Sequence, residues 1–567
     1  MSLRPLHAKH ALAVCVILLA CVLAYWNSWK GQFVSDDVVQ VARNQALRPL
    51  DWPHLQHLLV TFDGVDYMPI TLTSYAADYA IWGPSPAGFH FTNLVFHGVA
   101  AVLVYVVLMQ LGFPAGAALV AALLWATHPV QVESVAWISE RKNVLSSAFF
   151  LCAFSLYCVF VDKPRIVTYF AVLALFTFST LSKMNTVVLP AICVAYVGAF
   201  RFQLRRRDVL HTVPMLAIAV AVCWYNLAGN PIHGGDYHGG SARIRLLSSA
   251  VVVLRYLGNI LVPSRLSAFY DVPLHASPWA PPVFFSLIAI VLAGLAVAVC
   301  LFAKHRAGFW ILWFFITLAP MLNIVPFANL MADRYLYLPL LAPVALAVSG
   351  VLAVRNDWNR AAGMALLVVM VLTCIVMSAR RVPVWATPTT LWEDSVSHTY
   401  YLAADPLFVQ PGFDAKVVWL RNRIAESPSS GVDYNNLGAI YYESDRLADA
   451  IAALEAARRL DGDRPNILMN LGRAYARVGR EHEAVQCLRK AAEAAPHEFV
   501  AHLYLLRAYL ASGDEISARH ELAECARIRP RDAQSPWFCR YERESLARLA
   551  ATPPRSSPHA GGGGEPQ

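Results

Sequence analysis

The side chains best placed to do chemistry fall in three short polar clusters, each beside an apolar run. The first is Ser35-Asp36-Asp37. Adjacent carboxylates next to a membrane-length segment are costly unless they are solvated or used. Successive side chains do not point the same way, so the pair divides naturally: one acid faces a site and the other orients it or an ion. The acid that faces the site could act as general base toward a hydroxyl. A charged cap on an interfacial helix would use the same two residues. The second cluster runs from His128 to Asn143 and mixes Glu133 and Glu140 with Arg141 and Lys142. Cations at a lipid surface suit a phosphate, held bidentately by Arg and as a point charge by Lys. Interfacial anchoring through Trp137 is the plainer use. In the third, Asp333-Arg334-Tyr335-Leu336-Tyr337, the acid and base either pair with each other or leave Arg334 for an anionic headgroup. His90, His97 and His128 stand near helix ends without the spacing of a zinc site, and read as packing or hydrogen-bonding residues. Asp36, Asp37 and Glu133 could hold a divalent metal if they met. Together the clusters allow an enzyme site at a membrane interface that takes a lipid-linked donor.

The elements that must position these residues are set by composition. Of 567 residues 57% are hydrophobic and 15% charged, far fewer charges than the roughly one quarter of a soluble domain. Residues 1–430 carry 28 basic and 19 acidic side chains, whereas 431–567 carry 18 and 19. The chain therefore reads as an apolar, net basic membrane body followed by a soluble module. The basic excess is loop charge that sets orientation and gives no nucleic-acid patch. A bilayer core needs roughly 17–25 apolar residues per helix. Allowing for interfacial ends, eleven spans are expected: 11–26, 91–111, 115–128, 144–161, 166–182, 185–200, 209–227, 282–303, 309–326, 335–354 and 361–379. The first is read as an uncleaved signal anchor. Arg255 and Asn259 interrupt 246–262, which is read as re-entrant or interfacial. With that assignment the basic turns around Lys9, Lys163, Arg201 to Arg207, Lys304 and Arg355 share the cytoplasmic side of an inner or plasma membrane. The three polar clusters and everything after Arg381 then face outward. The cysteines lie mostly in apolar runs and read as small hydrophobes.

The tail repeats with a period of 34 residues. Leu437-Gly438 recurs as Leu471-Gly472, Tyr441 as Tyr475 and Tyr509, and Ala450 as Ala484 and Ala518. This is the tetratricopeptide pattern, in which small residues let paired helices pack and neighbouring units stack. The expected organisation is a membrane domain over 1–381, a linker with helical segments over 382–430, three repeats over 431–532, a capping helix over 533–550 and a disordered tail over 551–567. Such arrays present a concave surface to a protein, or else only brace the membrane body.

The ordered motifs carry a resemblance. Phe33-Val34-Ser35-Asp36-Asp37, Pro69-Ile70-Thr71, Asp78-Tyr79-Ala80-Ile81-Trp82-Gly83, Gly88 to Leu94 with His97, His128-Pro129 through Lys142, and Asp333 to Pro339 resemble the transmembrane and tetratricopeptide-repeat-containing O-mannosyltransferases and their bacterial relatives. The resemblance spans both halves of the chain. It implies an all-α fold of the C-type glycosyltransferase (GT-C) kind, about eleven spans followed by a soluble tetratricopeptide solenoid. It also implies transfer of a sugar from a polyprenyl-phosphate carrier to a hydroxyl, with Ser or Thr of a protein as acceptor, on the outer face. Asp36 and Asp37 would be the catalytic centre with Glu133 in support. Charge adds Arg141, Lys142 and Arg334 as holders of the donor phosphate. Met68 stands where many relatives have a polar or basic residue, and Asn143 where an Asp is common. Two other readings compete: a non-catalytic anchored scaffold that recruits envelope proteins through the repeats, and, less well supported, a transporter built around Lys183.

Overall fold

The structure is a computed structural model that describes residues 4–60, 67–202, 205–229, 241–270, 272–325, 329–398, 413–426 and 428–528. No strand occurs among the described residues. They fall into two compact units: the first holds 4–229, 242–398 and the first residues of the helix at 413–426, and the second holds Ser241, the rest of that helix from 416 and everything after it. The expected capping helix and disordered tail lie outside the described residues.

The first unit contains α1 (Arg4–Tyr25), α2 (Trp52–Val60), α3 (Pro69–Trp82), α4 (Pro86–Gln110), α5 (Ala115–Thr127), α6 (Val132–Ala136), α7 (Arg141–Asp162), α8 (Ile166–Ser182) and α9 (Leu189–Arg201). It continues with α10 (Arg206–Leu210), α11 (Val213–Gly229), α12 (Ala242–Leu261), α13 (Pro281–Phe302), α14 (Ala307–Leu318), α15 (Leu341–Leu352), α16 (Asp357–Arg381) and α17 (Pro388–His398). Eight of the described helices are long and apolar enough to cross a membrane, α5 and α6 form a further pair bent by 52°, and α8, α14 and α15 are shorter apolar helices. Backbone groups satisfied within each helix are what a bilayer interior demands. The central column is α7, whose apolar window is 72% buried, and the most lipid-facing helix is α13, at 11%.

Contacts assign the helix ends. His10 of α1 meets the Tyr105 hydroxyl near the end of α4, at 2.8 Å, while Tyr25 at the other end of α1 donates to the carbonyl of Ala126 on α5. Arg201 at the end of α9 pairs with Asp162 at the end of α7. Gly112 after α4 packs against Arg306 before α14, and Gly363 of α16 against Val351 of α15. The five basic turns therefore share one end of the bundle. All three polar clusters stand at the other.

The segment expected to be re-entrant or interfacial is the helix α12. By length and composition it passes as a span. However, Arg245 near its start donates to the carbonyl of Asn323 (2.8 Å), and near its other end Asn259 donates to Asp333 and the Ile260 carbonyl meets His128. All these partners belong to the polar-cluster end, so α12 lies along that end of the bundle; seven long apolar helices, the bent pair and the three shorter apolar helices remain among the described residues. Its three arginines, Arg243, Arg245 and Arg255, suit such an interfacial position.

The second unit holds α18 (Phe413–Glu426) and three helix pairs: α19 (Gly431–Glu443) with α20 (Leu447–Asp461), α21 (Pro465–Arg477) with α22 (Glu481–Ala494), and α23 (Phe499–Ser512) with α24 (Glu515–Ile528). Each pair turns on a left-handed residue at the 34-residue spacing: Asp445, Gly479 and Gly513. A Cβ on Gly438 or Gly472 would lie 2.5 Å from Leu454 or Leu488, which is why the helices of the first two pairs pack so closely. The third pair has a buried Leu506 at that position. In the stretch expected to be a linker with helical segments, Arg421 of α18 donates to the Tyr441 hydroxyl and Arg423 pairs with Asp433. Likewise the first unit extends past 381, because Arg381 grips Asp394 of α17 through two hydrogen bonds.

Candidate active site

The first acidic turn is built by an unusual backbone. Ser35 sits at φ +51°, in the left-handed region that non-glycine residues rarely adopt, and a π-helical turn follows over Val38–Ala42. Strain of this kind gathers where a site must be held in shape. The two acids separate cleanly. Asp37 is fully buried: its Oδ1 accepts from the Ser139 amide (2.7 Å) and hydroxyl (2.5 Å), and its Oδ2 accepts from the Val34 amide (3.0 Å). Burial pushes its carboxyl up to about 7, against the pull of those three bonds. Asp36 is half-buried, and its carboxylate makes no hydrogen bond or ion pair among the described residues. One acid is thus a structural anchor and the other is open.

Ser139 belongs to the second cluster. There Glu133 pairs with Arg334, whose backbone amide also donates to it at 2.8 Å. Glu140 lies 3.4 Å from Arg334 Nε, 3.5 Å from Lys142 Nζ and 3.1 Å from Lys183 Nζ. Asn143 joins the group: its amide donates to Glu140 (2.7 Å) and to the Arg334 carbonyl (3.1 Å), and its oxygen accepts from Lys183 (2.7 Å). Among the described residues, two carboxylates and three cations thus share one nearly buried cluster. The Arg334 guanidinium also lies over Trp137 and Tyr335, and Trp137 stacks on Trp385. Lys142 and Lys183 open on a cavity whose other walls include Tyr67, Met68, Asn226 and Met321. It is small, about 40 Å³, and Ser182, Asn185 and Asn226 line it beside the methionines, so it gives the two lysines polar access and is no pocket for a lipid chain.

The structure thus brings Asp37 to Ser139, beside Glu140, and joins Glu133, Lys142 and Arg334 in one cluster. It places Arg141 elsewhere. That guanidinium is fully buried against Asp78 (2.5 Å), Asn93 (2.7 Å) and the Phe89 carbonyl, over the ring of Tyr75, and so it locks α3 and α4 to α7. Asp333 does not pair with Arg334; its Oδ1 accepts from Tyr270 (2.7 Å) and Asn259 (3.1 Å). Burial, with Glu133 adding to it, pushes Asp333 up to about 7. Asp36, Asp37 and Glu133 do not form a metal set: no group of three His, Cys, Asp or Glu that could hold an ion stands together among the described residues. His97 and His128 do hydrogen-bond backbone carbonyls. Two parts of this geometry escaped the sequence reading: Lys183 joins the cation cluster, and Ser139 anchors Asp37. The available signal was a lone lysine between two apolar helices.

Comparison with known proteins bears on this arrangement. Residues 465–498 match the family model described as "Tetratricopeptide repeat", and they coincide with the second helix pair. The mouse protein O-mannosyl-transferase TMTC3 is 30% identical over 304 residues, 49% of this chain and 30% of that protein. Human TMTC1, also named a protein O-mannosyl-transferase, is 30% identical over 32% of this chain and 23% of its own length. A Caenorhabditis elegans protein O-mannosyl-transferase, F38B6.6, is 23% identical over 67% of this chain and 57% of its own. By sequence the chain is a relative of these O-mannosyltransferases. It matches less than a third of the length of TMTC3 and TMTC1. Among solved structures, an Archaeoglobus fulgidus oligosaccharyltransferase tethered to an acceptor peptide aligns at 13% identity over 76% of this chain and 59% of that one. Its TM-score of 0.39 is too low to bear on fold or site.

Proposed function

We propose that the protein is a membrane glycosyltransferase of the GT-C kind that moves a sugar from a polyprenyl-phosphate carrier to a hydroxyl of a protein, on the outer face of the membrane. The observation that carries the reading is the pinning of the acidic turn through Asp37 to Ser139, one residue from Glu140 and the three cations gathered on it. In the reaction, Asp36 takes the proton of the acceptor hydroxyl as its oxygen forms a bond to the anomeric carbon. The bond from that carbon to the carrier phosphate breaks, and the phosphate leaves with the electron pair. Lys142, Lys183 and Arg334 stabilise the charge it gains, with Glu133 and Glu140 holding those cations in place. Asn143 positions Lys183 and Glu140. The basic end of the bundle is the cytoplasmic one, so the site faces outward. The helix pairs of the second unit hold the acceptor protein.

Glycopeptide mass spectrometry of envelope proteins tests this reading. Cells carrying Asp36→Asn are expected to lose hexose-modified Ser and Thr peptides while keeping wild-type amounts of the protein in the membrane. Unchanged modification in that variant, with loss of function only on deleting 431–528, would instead mark an anchored scaffold.

A further inference from the structure

At the end of the first unit away from the acids, α4, α9, α14 and α15 diverge around a cavity of about 480 Å³. That size is enough to enclose part of a small molecule. Phe113, Phe200, Trp310 and Leu346 make its apolar wall, and Arg306 and Ser349 bring polar groups to it. The Arg306 guanidinium lies over the Phe200 ring, 5.0 Å from its centroid. Gly112, at φ +91°, lets the chain pass beside it; a Cβ there would come within 3.2 Å of Nη1. The preceding Lys304 is itself held at φ +52°, in a tight turn that brings Arg306 to the cavity.

No carboxylate pairs with Arg306 among the described residues, nor with Lys163, Arg165, Lys304 or Arg355 at the same end. The acids there are already engaged: Asp162 by Arg201, Asp208 by Arg207 and Asp357 by Arg360. An aromatic pocket with one unpaired guanidinium, inside a field of further unpaired cations, is complementary to an anion that carries a hydrocarbon chain.

We propose that this cavity binds an anionic phospholipid of the surrounding bilayer. Its phosphate rests on Arg306, and the first carbons of one acyl chain pack against Phe113, Phe200 and Trp310. The lipid bolts the ends of α14 and α15 to those of α4 and α9. It takes no part in sugar transfer, so the proposal stands whether or not Asp36 is catalytic.

The test uses the full chain in nanodiscs of phosphatidylcholine alone or with phosphatidylglycerol. Phosphatidylglycerol should raise the melting temperature by about 3–5 °C, and native mass spectrometry should find it retained. Arg306→Ala should lose most of the shift, and Lys163→Ala, a charge control at the same end, should keep it. Gly350→Trp, at a cavity position with open space beside it, should block retention with Arg306 intact. The proposal is overturned if wild-type protein gains no more from phosphatidylglycerol than from phosphatidylcholine, or if Lys163→Ala loses as much as Arg306→Ala. It also fails if Gly350→Trp retains the lipid, or if inorganic phosphate alone reproduces the shift.

Discussion

Asp36 and Asp37 are chemically identical and adjacent, yet their surroundings assign them opposite tasks. Three donors converge on Asp37, so replacing it with Asn turns an amide nitrogen toward a backbone N–H and leaves a buried donor unmet, at a cost of about 1–3 kcal/mol. Asp37→Asn should therefore melt several degrees below wild type, while Asp36→Asn should melt with it; equal melting of all three proteins would show that Asp37 anchors nothing. Asp333 gives a second prediction. Its folded value of about 7 lies well above the ordinary 3.8, so the folded protein binds the extra proton between those values. The stability this confers is complete below the ordinary value and is lost as pH rises through about 7. Asp333→Asn can still accept from Tyr270 and Asn259, so it should flatten part of the fall in melting temperature between about pH 4 and pH 7. An unchanged slope would remove Asp333 from that dependence.

The elements show why those residues meet. The first turn of α7 presents Arg141 toward Asp78 on α3, and Lys142 and Asn143 toward Glu140 and Lys183. One helix start thus supplies both a structural clamp and part of the cluster of cations around Glu140. From sequence, Arg141 and Lys142 read as an equivalent pair, because a linear stretch does not tell which neighbour 63 positions away will face each. Lys183 is 43 positions from Glu140 and meets it only when the junction after α8 closes on α7. Its proposed role carries a test: Lys183→Ala should lower kcat/KM for the donor about 10- to 100-fold, the worth of one charged hydrogen bond, with most of the loss in kcat. An unchanged kcat/KM would take Lys183 out of the proposed phosphate site. The repeats were legible for a physical reason that the site lacked. Their contacts recur at a fixed spacing, as with Gly438 against Leu454 and Gly472 against Leu488, so periodicity stands in for tertiary structure.

Across the whole molecule, charge and hydropathy announced an all-helical membrane body and a separate helical solenoid, because each property is summed over many residues. The sharing of one end by all five basic turns follows from the same sums. The character of α12 does not: composition alone passes it as a span, and its contacts with Asn323, Asp333 and His128 lay it along the bundle end. Single cysteines at Ser241 and Val262, on a cysteine-free background, should react with an impermeant maleimide from the same face of sealed vesicles. Labelling from opposite faces would make α12 a crossing helix and reverse the side on which the later basic turns lie. The most direct test of the catalytic account is the initial rate of labelled mannose transfer from a polyprenyl phosphate to a Ser/Thr peptide by purified wild-type and Asp36→Asn protein. The account predicts that Asp36→Asn loses about 10²- to 10⁴-fold in kcat at an unchanged donor KM; turnover at the wild-type rate would contradict it.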